Sequence, residues 1–483
     1  MPIAQQSFLN SFLKALEEGT AAVFAGAGLS KPSGFVDWRA LLADIIRDLK
    51  LDPGAENNLV AAAQYSVNER AGNRGHLNQL LIEEFTKDAT PNKNHELLAR
   101  LPIDTIWTTN YDTMIEHALG AEYKRVDVKH RPEQLATSMP GRHVTLYKMH
   151  GDISAPDQAV LVKEDYETYE ASRQLFSFKL QGDLVSKTFL FIGFSFTDPN
   201  IDYLLSRIRG LMGKNVREHY CFLKHVDPPS EDSPAAKAEF EYNKRRQELL
   251  VGDLKRYGIR TLLLNSYGEI TTLLGELNNL VYRKNVFVSG SAADPDPLGE
   301  QRLAELCYAL GKSVIQSGKN ITSGMGVGVG GDIVLGALES LYRLRGGRVD
   351  ERLTLRPFPQ EAPEGMTLPE VWRRYREEML AHAGPVVFIA GNKVVDGQVI
   401  IANGCLEEFE IAKALRRTPI PIGCTGHAAA QIWSEVSNAV GTYFPSDPTA
   451  ATRLLTKLND AGATTKELVD ATLSLIEIAG RPA

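Results

Sequence analysis

The chain has 483 residues, 43% hydrophobic and 23% charged, enough for two to four globular domains at about 100–200 residues each. Its 53 basic and 60 acidic side chains leave a formal charge of −7, which argues against a nucleic-acid-binding protein. Four cysteines without a Cys-x-x-Cys pair argue against a disulfide framework or zinc ribbon and fit a reducing cytoplasm, and without any run of about 18 apolar residues no transmembrane helix is expected.

The stretch QQSFLNSFLKALEEG (5–19) carries apolar residues at helical spacing together with charge, unlike the core of a secretory leader. Six short apolar runs follow: AAVFAGAG (21–28), IDTIWTTN (103–110), HVTLYKMHG (143–151), TFLFIGFSF (188–196), HYCFLKH (219–225) and IRTLLLN (259–265). They are rich in β-branched and aromatic residues and read as strands. Amphipathic stretches such as WRALLADIIRDLKL (38–51) separate them and read as helices. This alternation predicts a doubly wound parallel sheet with its ligand beyond the carboxyl ends of the strands. Around 228–258 a Pro/Ser-rich loop precedes a charged helix, and YGEITTLLGELNNLVYRK (267–284) forms a further helix.

At KNVFVSGSAA (284–293) the pattern restarts with a strand running into a small-residue turn. A helix over 298–314 leads to NITSGMGVGVGGDIVLGALESL (320–341), with five glycines between 324 and 331. RLTLRPF (352–358), GPVVFIAG (384–391) and TPIPIGCT (418–425) read as strands, and helices are expected from 446 onward. The fold class is therefore α/β, with two Rossmann-like doubly wound domains over 1–283 and 284–483.

The strand ends of the first half carry the chemistry. Ala25, Gly26, Ala27, Gly28 and Ser30 form a tight turn whose backbone N–H groups suit a diphosphate. The third glycine of Gly-x-Gly-x-x-Gly is missing, since position 31 is Lys, and the turn alone serves equally well as a structural one. TTNYD supplies Asn110 and Asp112, KMHGD supplies His150, and GFSFTDPNID supplies Gly193, Ser195, Asp198 and Asn200. Taken singly, Asn110 reads as a turn former, Asp112 as a helix cap and His150 as a structural histidine. A parallel sheet converges them on one crevice, which favours a shared site.

GAGLSKPSGFVDWR, TTNYD, HGD and GFS, in that order, resemble the sirtuin family over about residues 1–280. The resemblance implies NAD as substrate, Gly26, Ala27, Gly28, Ser30, Gly193 and Ser195 at its phosphates and adenosine, Asn110 and His150 as the catalytic pair, and Asp112 near the nicotinamide amide. TTN replaces the family's TQN, and the zinc ribbon of the protein deacylases is absent. An asparagine can hold a ribose hydroxyl or a water, and an imidazole exchanges protons near neutral pH. Water attack would yield nicotinamide and ADP-ribose, with no metal required.

In the second half, VSGSAA places Gly290 and Ser291 at one strand end, and TSGMGVGVGGD places Gly324 and Gly326 before a helix N-terminus suited to an anion. From about 285 onward the chain resembles the SLOG family of nucleotide-signal binders. A sirtuin-like domain followed by SLOG is the layout of the Thoeris antiphage effectors. That resemblance implies a cytoplasmic homotetrameric NAD glycohydrolase activated by a cyclic ADP-ribose isomer from a TIR-domain partner. It involves neither nucleic acid nor membrane, and it assigns Arg376, Lys393 and Glu408 to the signal ligand. Arg and Lys suit diphosphate oxygens, and a carboxylate can accept from ribose hydroxyls. Arg373, Arg374 and Glu407 lie close enough in sequence for the register to be off, and a solvated helix face is the plain alternative for Arg376. An NAD-dependent protein deacylase with an accessory nucleotide-binding domain is the alternative function, disfavoured by the missing ribbon. A non-enzymatic nucleotide-binding scaffold is disfavoured by the Asn110–His150 pair.

Overall fold

The computed structural model describes residues 2–481 except 37, 195, 197–200, 202–204, 207–208, 211–212, 214–215, 230 and 344–348. The chain divides into two compact units, Met1–Leu277 and Asn278–Ala483. The division falls inside the helix Gly268–Tyr282.

The first unit is built on strands β1 (Ala21–Ala25), β2 (Thr105–Thr108), β3 (Val126–Lys129), β4 (Val144–Lys148), β5 (Thr188–Ile192), β6 (His219–Lys224) and β7 (Ile259–Leu264). They form one sheet in the order β3-β4-β2-β1-β5-β6-β7, and every pairing is parallel. β1, β2 and β5 are buried along their whole length. Helices cover both faces, which is why these strands read as unbroken apolar runs. On one face Phe24, Trp107, Phe189 and Phe191 pack with Phe176 and Tyr169. On the other the helix Gln5–Glu17 lays Phe8 edge-on against Tyr220 and Phe222.

Two expectations change here. The sheet gains β3, whose Val-Asp-Val-Lys sequence lacks an apolar run. It is an edge strand that buries two charges, and Asp127 and Lys129 neutralise each other at 2.8 Å. The helix expected over 38–51 is broken into Trp38–Leu41 and Ala43–Asp48. Leu42 between them has ψ 2°, and Leu41, Leu42, Ile45 and Ile46 all enter one apolar cluster.

The second unit contains β8 (Asn285–Ser291), β9 (Asn320–Ser323), β10 (Leu353–Leu355), β11 (Val386–Ala390), β12 (Asn392–Val395), β13 (Gln398–Ile401) and β14 (Pro419–Ile422). Five of them form a parallel sheet in the order β10-β9-β8-β11-β14. The expected strand over 352–358 stops at Leu355, since Pro357 and Pro359 cannot donate to a ladder. β12 and β13 form an antiparallel hairpin that sequence reading missed. Its Asp396-Gly397 turn has positive φ at both residues, 52° and 77°, the geometry of a two-residue hairpin loop. Helices Pro448–Leu458 and Thr465–Ala479 follow, as their spacing leads one to expect.

All four cysteines are free and buried, and burial pushes the thiols of Cys221, Cys307 and Cys405 up to about 12, so they stay protonated.

Two buried histidines make the fold acid-sensitive. Burial lowers His219 to about 3 and His95 to about 4 from 6.5. Each ring is neutral and accepts a backbone hydrogen bond at Nδ1, from Phe189 N and Asn92 N respectively. The unfolded chain protonates these rings near 6.5 while the folded chain does not. Their contribution is therefore complete above that pH and is lost as pH falls toward the folded values. The expected slope is about 1.4 kcal/mol per pH unit for each ring. Denaturant unfolding at pH 7 and pH 5 should show it, and His219→Gln should remove about half. An unchanged slope in that variant would rule His219 out.

Candidate functional site

In the first sheet the chain leaves β1 toward one edge and β5 toward the other. The switch point therefore lies between their carboxyl ends, where open α/β sheets bind ligands. Gly26 and Gly28 follow β1, and Gly193 follows β5 with φ +64°. The three glycines interlock. A Cβ on Gly26 would collide with the Gly193 carbonyl oxygen, one on Gly28 would lie 2.9 Å from Gly193 Cα, and one on Gly193 would collide with Leu29 N. Gly26 N donates to Ile192 O at 2.9 Å and Gly28 N to Gly193 O at 3.0 Å. Both glycine donors expected to cradle a diphosphate are thus spent on joining two strand ends. Ser195 lies outside the described residues, as do Asp198 and Asn200.

Asn110 lies two residues beyond Thr108, and His150 two beyond Lys148. Thr108 and Lys148 are register partners on β2 and β4, so the two loops start side by side. Asn110 Nδ2 donates to Gly26 O and to Ser30 Oγ, both at 3.2 Å. Because Gly26 O can only accept, the amide nitrogen must face it, and Oδ1 is left on the other side. Among the described residues that oxygen is buried without a hydrogen-bond partner. An unmet buried acceptor costs about 1–3 kcal/mol, a deficit that a ligand hydroxyl or water would remove. Ser30 thus acts first on Asn110. Asp112 Oδ1 accepts from Met114 N at 3.0 Å, one residue ahead of the helix Met114–Ala121, whose N-cap is Thr113 and not Asp112 as the sequence alone suggests.

His150 is buried, with its ring edge-on to Tyr166 and Tyr169 at centroid distances of 5.6 and 6.3 Å. Tyr169 and Tyr111 hydroxyls donate to Met149 O and Val160 O at 3.1 and 2.7 Å, holding the segments on either side. Sequence reading passed over Lys148, which is fully buried at the end of β4. Its position within KMHGD, two residues before the histidine, was the available signal.

The second sheet has its switch point between β8 and β11, where Gly290 pairs with Ile389. A Cβ on Gly290 would collide with Ile389 O, and one on Gly326 with Gly290 O. The glycine-rich loop is therefore close-packed on the end of β8, where Ala292 N donates to Val327 O at 2.7 Å. Ser291 Oγ donates to Asn392 O at 2.8 Å, and the Asn392 side chain clamps both backbone groups of Asp294.

Arg376, on the helix Leu368–Ala381, is buried rather than solvated. Its Nη1 meets Glu407 Oε2 at 2.7 Å, and its Nε lies 3.4 Å from Glu408 Oε1. Glu408 accepts from Ser289 Oγ at 2.5 Å. Burial pushes the Glu408 carboxyl above the usual carboxylate range, against the pull of Ser289 and Arg376. The Arg376 guanidinium stands 4.8 Å over the Phe358 ring, and a Cβ on Gly324 would lie 2.9 Å from that ring. Gly324, Arg376, Glu408 and Ser289 therefore share one neighbourhood, with Glu407 joining it. Lys393 stands exposed on β12, beside the clamped Asn392. Among the described residues no cluster of three or more His, Cys, Asp or Glu could hold a metal.

Residues 104–246 match the family described as a SIR2-like domain, and residues 269–479 match the Sir2- and TIR-associating SLOG family. The chain is 43% identical over 471 residues to the NAD(+) hydrolase ThsA of Bacillus cereus (strain MSX-D12), covering 98% of each chain. It is 41% identical over 459 residues to the NAD(+) hydrolase ThsA of Cytobacillus dafuensis, covering 93% of this chain and 91% of that relative. It is 39% identical over 462 residues to the NAD(+) hydrolase ThsA of Acinetobacter baumannii (strain 532279), covering 94% of this chain and 95% of the relative.

Proposed function

The chain belongs to the ThsA family of NAD(+) hydrolases, and from that membership we propose that it cleaves the nicotinamide–ribose bond at the carboxyl edge of its first sheet, with Asn110 and His150 as the working pair. NAD is its substrate. The observation that carries the assignment of residues is the buried Asn110 Oδ1, unpartnered among the described residues, on a loop that starts beside the one bearing His150. Asn110 Oδ1 accepts from a ribose hydroxyl or the attacking water. His150 takes a proton from water as its oxygen bonds to the ribose C1′, and the C1′–N bond breaks with its electron pair leaving on neutral nicotinamide. The other product is ADP-ribose. Ala25, Gly26, Ala27, Gly28 and Gly193 shape the switch point around the rest of NAD, Ser195 of the following turn is assigned to the adenosine side from the sequence, and Asp112 lies on the nicotinamide side.

The second unit is the sensor in this reading. A cyclic ADP-ribose isomer supplies a diphosphate for Arg376 and Lys393 and ribose hydroxyls for Glu408, with Gly290, Ser291, Gly324 and Gly326 as the floor. The buried charge cluster around Arg376 supports this, since such a cluster is costly unless it has work to do. The match to a Sir2- and TIR-associating family supports a TIR-domain protein as the source of the signal. A cytoplasmic homotetramer that depletes NAD in antiphage defence completes the proposal. Among the described residues no helix is long and apolar enough to cross a membrane.

The deciding experiment incubates the purified chain with NAD, with and without individual cyclic ADP-ribose isomers. Equimolar nicotinamide and ADP-ribose, released faster with one isomer, is the expected result. Nicotinamide release that requires an acetyl-lysine peptide would overturn it in favour of a deacylase.

A further inference from the structure

We propose that Lys148 is a positioning residue for NAD cleavage, its ammonium locking the loop that carries Asn110 to the loop that carries His150. The inference rests on that pair being the working one.

Lys148 ends β4, and its side chain is wholly removed from solvent. Its Nζ donates to Asp112 O at 2.6 Å and to Tyr111 O at 3.2 Å, the two residues that follow Asn110. It also pairs with Asp152, two residues after His150, and with Glu116 Oε1 at 2.9 Å on the helix that begins after Asp112. One cation therefore holds both strand-end loops immediately past their functional side chains. Backbone bonds tie the loops before and after this point, Met149 N to Thr108 O at 3.1 Å and Ile153 N to Tyr111 O at 3.2 Å. Lys148 fixes the stretch in between.

For stability alone, an apolar cluster in place of the whole ion pair would serve as well. Burying an ammonium is expensive, and a buried ion pair is often matched or bettered by hydrophobic packing. What an apolar residue cannot supply is several directed donors radiating from one point onto two loops. Burial disfavours the ammonium, yet Glu116 and Asp152 hold Lys148 above the ordinary lysine value. Burial likewise works against the Asp152 charge, but Lys148 keeps it below the usual range, whereas burial pushes Glu116 above it. Lys148 thus meets a carboxylate on the His150 side, at Asp152, and on the Asn110 side it meets Glu116 together with the backbone carbonyls of Tyr111 and Asp112. An error of about 1 Å in a reacting group can cost about 100-fold in rate.

The test compares Lys148→Met, Asp152→Asn and His150→Ala in the full-length chain, with kcat and KM for NAD measured below each variant's melting temperature. Lys148→Met is expected to lower kcat about 100-fold with KM within about threefold, because binding contacts stay while alignment is lost. A folded Lys148→Met with near wild-type kcat, even at a lower melting temperature, overturns the inference and leaves a structural role. If Lys148→Met does not fold, the isosteric Asp152→Asn decides, with about tenfold lower kcat expected and an unchanged kcat overturning it. His150→Ala separates the two levels. If it still turns over NAD, the catalytic pair itself is wrong and the inference falls with it. If it is inactive while Lys148→Met is not, only the inference falls.

Discussion

His150→Ala lowers NAD turnover by about 100- to 10,000-fold, the range a positioned general base supplies. The loss belongs to the ring and not to the backbone. The bond from Val160 N to His150 O, at 2.8 Å, survives the substitution, and so does the Tyr169 bond to Met149 O. The variant keeps its loop and loses only the imidazole between Tyr166 and Tyr169, a modest cavity. Asn110→Ala has an effect of the same order for a different reason. It removes the oriented Oδ1 acceptor and strips Gly26 O and Ser30 Oγ of their shared donor. Asn110→Asp is the sharper probe. It restores size but sets a carboxylate oxygen against Gly26 O, so repulsion turns the group and activity stays low. Nicotinamide release under saturating activator reads all three. Near wild-type turnover in Asn110→Asp would mean that the amide orientation is irrelevant, contrary to the geometry proposed.

Arg376→Ala raises the concentration of cyclic ADP-ribose isomer needed for half-activation by about 100-fold or more, since a charge-assisted contact to diphosphate carries about 1.5–3 kcal/mol and two donors are removed. The variant also pays in stability. Glu408 stays buried beside Ser289 with its cationic partner gone, and breaking a buried pair from one side costs about 3–5 kcal/mol. Adding Glu408→Gln removes the stranded charge and should recover much of the melting temperature without recovering activation. Lys393→Ala isolates ligand contact from fold, because Lys393 is exposed. Its half-activation concentration should rise about tenfold at an unchanged melting temperature. Activation curves for the three variants, read beside their melting temperatures, test the assignment. An activator equally potent on wild type and on folded Arg376→Ala would remove Arg376 from the sensor site.

The fold was legible wherever burial is two-sided. AAVFA, TFLFI and VVFIA must be apolar throughout because helices cover both faces of their sheets. VDVK and the hairpin NKVVDGQVII escaped for the converse reason. One sits at an edge where Asp127 and Lys129 pair with each other, and the other lies largely exposed.

The sequence by itself determined which residues stand at the strand ends: the glycines of GAG, Asn110, His150 and the small-residue turns of the second half. Strand–helix alternation then delivers them to one edge. Their roles at that edge were decided only by tertiary structure. Gly26 must be glycine because of Gly193, Asn110 is aimed by a carbonyl 84 residues away, and Glu408 is tied to Ser289 across 119 residues. Lys148 and Glu407 gained their place in the same way, from partners on other elements. The physical reason is the range of the forces. Apolar periodicity is a local property of the chain, whereas the direction of a buried donor or acceptor is set by whichever distant group packing brings within about 3 Å.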